Sequence, residues 1–225
     1  MKKLSLILLT VASLVFTVNA ATLFNDPYTV SGGGDINFEY TARQSGTEAP
    51  IIYTQSDGFT VTNIGPKAGK ANVITTGHDP KYLCPDHNFT ESGDFSVECD
   101  ITRNGSDGDG WVTMGIGLDA VKDDPEQSGV SGLKVKFWDD GGLQVYLDGY
   151  KIYQSPSALN GLKTSVSPTL KVKLVVSQPD FSGSGDGYIA MFVNNKAYLL
   201  DDGGDHYITI NPNGFDNNYI TFSVD

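Results

Sequence analysis

Positive charge, cysteine and long apolar runs are all scarce in this chain of 225 residues. Fifteen Lys and Arg stand against 27 Asp and Glu, a formal net charge of −12. A surface that neutralises phosphates must be basic, so a nucleic-acid partner is excluded. Two cysteines and three histidines (His78, His87, His206) show no ligand-like spacing, and a zinc site needs about four N/S ligands. Past the first 20 residues no run approaches the roughly 20 apolar residues that span a bilayer. Neither G-x-S-x-G nor G-x-x-x-x-G-K-[ST] occurs, which removes nucleophile-elbow and phosphate-loop chemistry. The 26 glycines follow no three-residue period, so collagen is out. What remains is 39% apolar and 11% aromatic residues, enough to build a core.

The first 20 residues, MKKLSLILLTVASLVFTVNA, read as a signal peptide. Lys2 and Lys3 form a cationic start, Leu4 to Phe16 an apolar stretch, and Val18-Asn19-Ala20 a small-residue cleavage pattern. Cleavage after Ala20 removes two lysines and no acid, so the mature domain, residues 21–225, carries a formal charge of −14 from 13 basic and 27 acidic groups. The expected location is secreted or periplasmic, with no membrane insertion once the signal is removed. In such an oxidising compartment Cys84 and Cys99 are expected to form one disulfide.

Hydrophobic period two runs along the mature chain, with turn residues between the runs. Strands are predicted at Ile36–Ala42, Phe59–Thr62, Asn72–Thr75, Asp94–Thr102, Trp111–Leu118, Leu133–Phe137, Leu143–Leu147, Tyr150–Gln154, Leu170–Ser177, Tyr188–Val193, Lys196–Leu200, His206–Ile210 and Asn218–Val224. Only Leu118–Gln127 and Pro156–Leu162 could hold a helical turn. Strands without helices imply two packed antiparallel sheets or a barrel, and no linker or repeat divides the chain.

Three registers follow. Asp148-Gly149 is a two-residue type I′ turn signal, which pairs Leu147 with Tyr150 and Val145 with Ile152. The loop Trp138–Gly142 then sets Phe137 opposite Leu143, and two outward rows result, Lys134–Tyr146–Lys151 and Lys136–Gln144–Tyr153. Asn194-Asn195 makes a second tight hairpin, because Asn tolerates positive φ. In Asp94–Thr102, Ser96, Glu98, Asp100 and Thr102 share one face. If that strand forms a hairpin with Trp111–Leu118, Glu98 and Asp100 lie beside Trp111 and Thr113, about 6.5–7 Å apart along the strand.

The segments GDFSVECDITRNGSDGDGWVTMGIGL, GLKVKFWDDGGLQVYLDGYKIY, LKVKLVVS and YIAMFVNNKAYLL together resemble the laminin-G and concanavalin-A-like lectin and glucanase superfamily. The resemblance runs from about Asp35 to Val224. It implies a two-sheet antiparallel jelly-roll β-sandwich, all-β, and a carbohydrate partner. Glucanases of that superfamily carry an E-x-D-x-E-like strand. Here the sequence reads Glu98-Cys99-Asp100-Ile101-Thr102, with Thr102 where the second Glu would stand, and a retaining glycosidase needs two carboxyl groups.

The expected function is therefore binding of a polysaccharide or glycoconjugate without cleavage. Glu98, Asp100, Trp111 and Thr113 form the expected floor, with Trp138, Tyr146 or Tyr153 as a second aromatic platform. Two alternatives stay open: a glycoside hydrolase or polysaccharide lyase, and an adhesive or structural surface protein. Oxygen-rich loops, Asn104–Gly110 with Asp107 and Asp109 above all, could hold one structural Ca²⁺. N-terminal sequencing of exported protein should begin at Ala21; an intact Met1 start would overturn the signal reading.

Overall fold

The computed structural model describes residues 24–56, 58–64, 71, 73, 80–89, 94–103, 110–118, 131–177, 187–204, 206–210 and 217–225. The signal segment, the loop with Asp107 and Asp109, and the stretch 119–127 lie outside them. Among the described residues no helix is long and apolar enough to cross a membrane.

Two antiparallel sheets face each other. Strands β1 (Gly33–Asp35), β2 (Tyr53–Gln55), β3 (Thr60–Thr62), β4 (Lys81–Pro85), β5 (Phe95–Thr102), β6 (Trp111–Leu118) and β7 (Leu133–Trp138) are followed by β8 (Leu143–Leu147), β9 (Tyr150–Gln154), β10 (Thr169–Ser177), β11 (Gly187–Val193), β12 (Lys196–Tyr198), β13 (Tyr207–Ile210) and β14 (Tyr219–Val224). Among the described residues, one sheet has seven strands in the order β2-β4-β14-β6-β7-β8-β9. The other has five, β12-β11-β10-β5, with β13 also on β11, and β1 pairs β3 separately. The fold is the all-β antiparallel sandwich expected.

Period two explains the core directly. Met114, Ile116, Leu133, Val135, Phe137, Leu143 and Val145 point inward from one sheet. Leu170, Val172, Leu174, Ile189, Met191 and Val193 meet them from the other, all essentially buried. Both tight hairpins form as read. Asp148 and Gly149 take φ of 50° and 79°, and Asn194 and Asn195 take 51° and 64°. The pairs Phe137–Leu143 and Val135–Val145 also hold.

Four expectations are corrected. Strand β5 does not pair with β6: it pairs with β10 at the edge of the five-stranded sheet, while β6 sits between β14 and β7 in the other. The two strands lie in different sheets, so they form no hairpin. A bulge in β9 shifts the second pair of the Asp-Gly hairpin, setting Val145 opposite Tyr153 and Gln144 opposite Gln154. The stretch from Ile36 to Ala42 is no strand either. Ile36 enters a small core, and Tyr40–Arg43 is a single helical turn.

The fourth correction concerns the cysteines, which are both free. Leu83, Phe222 and Met114 lie in one cross-strand row, and Cys99 Sγ is 3.8 Å from Met114 Sδ on that inner side. Cys84, next to Leu83, therefore points through the opposite face of the sheet, where its thiol donates to the Pro85 carbonyl at 3.3 Å. A sheet stands between the two sulfurs. Burial pushes both thiols up to about 12, so neither is a ready thiolate.

A second apolar cluster, Val30, Ile36, Tyr53, Phe59, Val61 and Leu83, sits under the N-terminal arm. Beside it Arg43 Nε donates to Asp26 at 2.8 Å, with both side chains 1% exposed. Arg43 also donates to the Phe38 and Ile36 carbonyls. Asp26 accepts further bonds from the Tyr53 hydroxyl and the Gln44 amide, each at 3.0 Å. Tyr28 and Tyr53 pack here, and burial raises both phenols far above their usual value. Losing one partner leaves a buried charge, so Asp26→Asn or Arg43→Met should cost about 3–5 kcal/mol, read as a lowered urea midpoint. Iodoacetamide at pH 8.5 should leave the native protein unlabelled and add two groups after unfolding; an unreduced, unfolded chain with no free thiol would contradict the separation of the cysteines.

Candidate functional site: a groove on the seven-stranded sheet

Directly opposed residues of a sheet share a face. On the seven-stranded sheet this makes one polar row facing away from the core: Tyr82, Ser223, Thr113, Lys136, Gln144 and Gln154. A second row holds Lys134, Tyr146 and Lys151, as the sequence implies. Trp111 opposes Trp138 at the end of β6 and β7.

Lys136 is 1% exposed. Its ammonium lies between the two indoles, 4.2 Å from the Trp111 ring centroid and 4.1 Å from that of Trp138. At such distances a desolvated cation–π contact is worth about 2 kcal/mol. These are the chain's two tryptophans, and one cation ties them together. The backbone of Trp138 is held as well. Its N–H donates to the Gly142 carbonyl at 2.9 Å, and its carbonyl accepts from Gly141 and from the Arg103 guanidinium, each at 3.0 Å. Arg103 reaches on to the Leu162 and Ser167 carbonyls and lies 3.6 Å from Asp139, so it joins the end of β5 to the turn after β7.

Beyond Trp138 the face opens into a groove of about 370 Å³. Trp138, Asp140, Gly142, Leu143, Gln144, Gln154 and the segment from Ser155 to Ala158 line it. The Ser155 wall is fastened to the floor in both directions: Ser155 N–H donates to the Leu143 carbonyl at 2.9 Å, and Leu143 N–H donates to Ser155 Oγ at 3.1 Å. Gly142 gives the turn its closeness. A Cβ there would lie 3.2 Å from Asp140 Oδ1 and from Trp138 Cδ1, tight enough to push the indole or the carboxylate aside.

Polar groups in the groove are oriented by neighbours. Tyr146 donates to Gln144 Oε1 at 2.8 Å, and burial raises the Tyr146 phenol. Lys151 donates to Gln154 Oε1 at 2.6 Å. Asp140 Oδ1 accepts the Gly142 N–H at 2.8 Å. An aromatic wall, two carboxamides and one carboxylate can together stack an apolar ring face and bond hydroxyls around it.

The four residues expected in a single floor separate into two places, and the expected aromatic platform divides as well. Trp111 and Thr113 do lie on this sheet but are buried, 6% and 3% exposed. Glu98 and Asp100 are on the outer face of the other sheet, opposite Lys173 and Lys171. Glu98 is 3.5 Å from the Lys173 ammonium, an exposed pair of the kind worth about 0–1 kcal/mol. Tyr153, moved one place by the β9 bulge, is in the core. Trp138 is the expected aromatic that lines the groove, and Tyr146 supports it through Gln144. Gln144, Gln154, Asp140 and the Ser155 wall were not anticipated as site residues; the bulge hides Gln154. Among the described residues no group of three or more His, Cys, Asp or Glu could hold a metal ion.

No family model and no curated protein matches the chain. Solved structures similar to it include the metal-free carbohydrate recognition domain of Emp46p, at 11% identity and TM-score 0.43, with 77% of this chain and 79% of that one covered. A legume lectin-like domain from Entamoeba histolytica aligns at 12% identity and TM-score 0.37, over 64% and 69%. A Bacillus licheniformis β-glucanase aligns at 10% identity and TM-score 0.41, over 91% and 84%.

Replacing Lys136 with Met should free both indoles, shifting tryptophan emission and lowering stability by about 2 kcal/mol, with partial return of the emission in Lys136→Arg. Unchanged emission in Lys136→Met would contradict the clamp.

Proposed function

We propose that this is an exported glycan-binding domain that holds a saccharide in the Trp138–Gln144–Gln154 groove without cleaving it. The observation that carries the reading is the pairing of a fixed indole with two carboxamides in one concave site, because sugars offer apolar ring faces and rings of hydroxyls. Glycosidic hydrolysis by two carboxyl groups needs them about 5–5.5 Å or 6.5–9.5 Å apart across the bond. Among the described residues lining the groove, Asp140 is the sole carboxylate. Its neighbour Asp139 turns inward, accepting the Thr164 hydroxyl at 2.9 Å. An open groove of this size suits affinities from about tens of micromolar to millimolar, roughly −6 to −4 kcal/mol.

Titration of the mature chain with a glycan panel, followed by tryptophan emission, tests the reading. Trp138→Ala should weaken binding at least about tenfold, an interaction loss near 1.4 kcal/mol, while Glu98→Gln on the other sheet should leave it unchanged. Release of reducing ends or unsaturated products from any bound polymer would assign an enzyme instead. Repeating the titration with Ca²⁺ and with chelator tests the expected ion in the Asp107–Asp109 loop.

A further inference from the structure

Gln144 and Gln154 are direct cross-strand neighbours, so their side chains stand about 5 Å apart. Each carboxamide oxygen is already engaged, by the Tyr146 hydroxyl and by the Lys151 ammonium. The second contact fixes the amide's direction, since an ammonium has no lone pair to offer and must meet the oxygen. With one lone pair of each oxygen already taken, the pair is donor-rich: four amide N–H donors against one remaining lone pair on each oxygen. A sugar hydroxyl placed there takes one N–H on its oxygen and leaves most of the amide donors unmatched. A carboxylate has acceptors alone and takes both donors in full.

Local charge agrees with that chemistry. The chain is strongly acidic, yet the exposed Lys151 stands against Gln154 on this face, whereas Lys134 and Lys136 in the same rows are buried. Asp140, the acid of the groove, sits in the turn after Trp138 with one oxygen on Gly142, where it suits a hydroxyl at the far side of the same ring. We propose that the groove selects a uronate: a sugar residue whose ring meets Trp138 and whose carboxylate bonds the Gln144 and Gln154 amides. This rests on the glycan-binding reading of the groove.

The test titrates the mature chain with a short galacturonate oligomer and its fully methyl-esterified form, which share ring and hydroxyls and differ in the carboxylate. Dextran oligomers with and without sulfate are the comparison for bare charge. The acid should bind at least about tenfold tighter than the ester, about 1.4 kcal/mol. The double variant Gln144→Met/Gln154→Met should bind both equally. Gln154→Glu, a change at an exposed position, should reverse the preference, and urea midpoints check that each variant is folded. Equal binding of acid and ester by the natural sequence overturns the uronate assignment while the groove reading stands. So does sulfated dextran binding more tightly than galacturonate whether or not the glutamines are present. Tryptophan emission unmoved by every saccharide, neutral or acidic, overturns both.

Discussion

Every placement of a side chain in this protein depends on the two-residue period of the strand. One step along β4 carries the chain from Leu83, in the core, to Cys84, on the far face. The same step in β7 separates Phe137 in the core from Lys136 between the indoles. The central strand β6 is buried along its whole length on both faces. Its core side is apolar throughout, and its other side accepts Trp, Thr and two Gly residues. Small residues there let neighbouring side chains lie close above the sheet.

Burial on both faces creates an electrostatic problem, since a lysine beneath a covered sheet loses its water. Lys136 meets it with two ring faces, whose quadrupoles partly replace hydration. Arginines meet the same problem with carbonyls. Arg43 ties Asp26 and two backbone oxygens in the N-terminal arm, and Arg103 ties three carbonyls and Asp139 at the end of the sandwich. The rigid fork of the guanidinium suits several fixed oxygens, whereas the compact ammonium suits a narrow slot between rings. These cations fasten irregular segments to strands where apolar packing alone would leave the direction of the chain loose.

Local signals were readable from residues, and long-range partnership was not. Asp148-Gly149 and Asn194-Asn195 announced their turns because positive φ at two successive positions demands such residues. The alternation in Phe95–Thr102 correctly separated Glu98 and Asp100 from the core side. It carried no information on which strand lay alongside, and neighbours in sequence are neighbours in space only as a tendency. Trp111 and Trp138 stood out as aromatics off the core, but their shared cation could be seen only once β6 and β7 were paired. The β9 bulge adds a residue without a composition signal of its own. It exchanged Tyr153 for Gln154 at the groove, so the candidate site was half legible: its wall was visible and its polar floor was not.

That bulge also bears on the chain's behaviour among its own copies. Among the described residues, strand β9 closes the seven-stranded sheet on one side, with a line of main-chain donors and acceptors along that border. A straight border of this kind would template addition of another chain and start a fibril. Here the extra residue bends the border, Lys151 brings charge onto it, and the strand ends after five residues. The irregularity that sets the groove's chemistry thus also gives the border a shape and charge that disfavour growth into a cross-β stack.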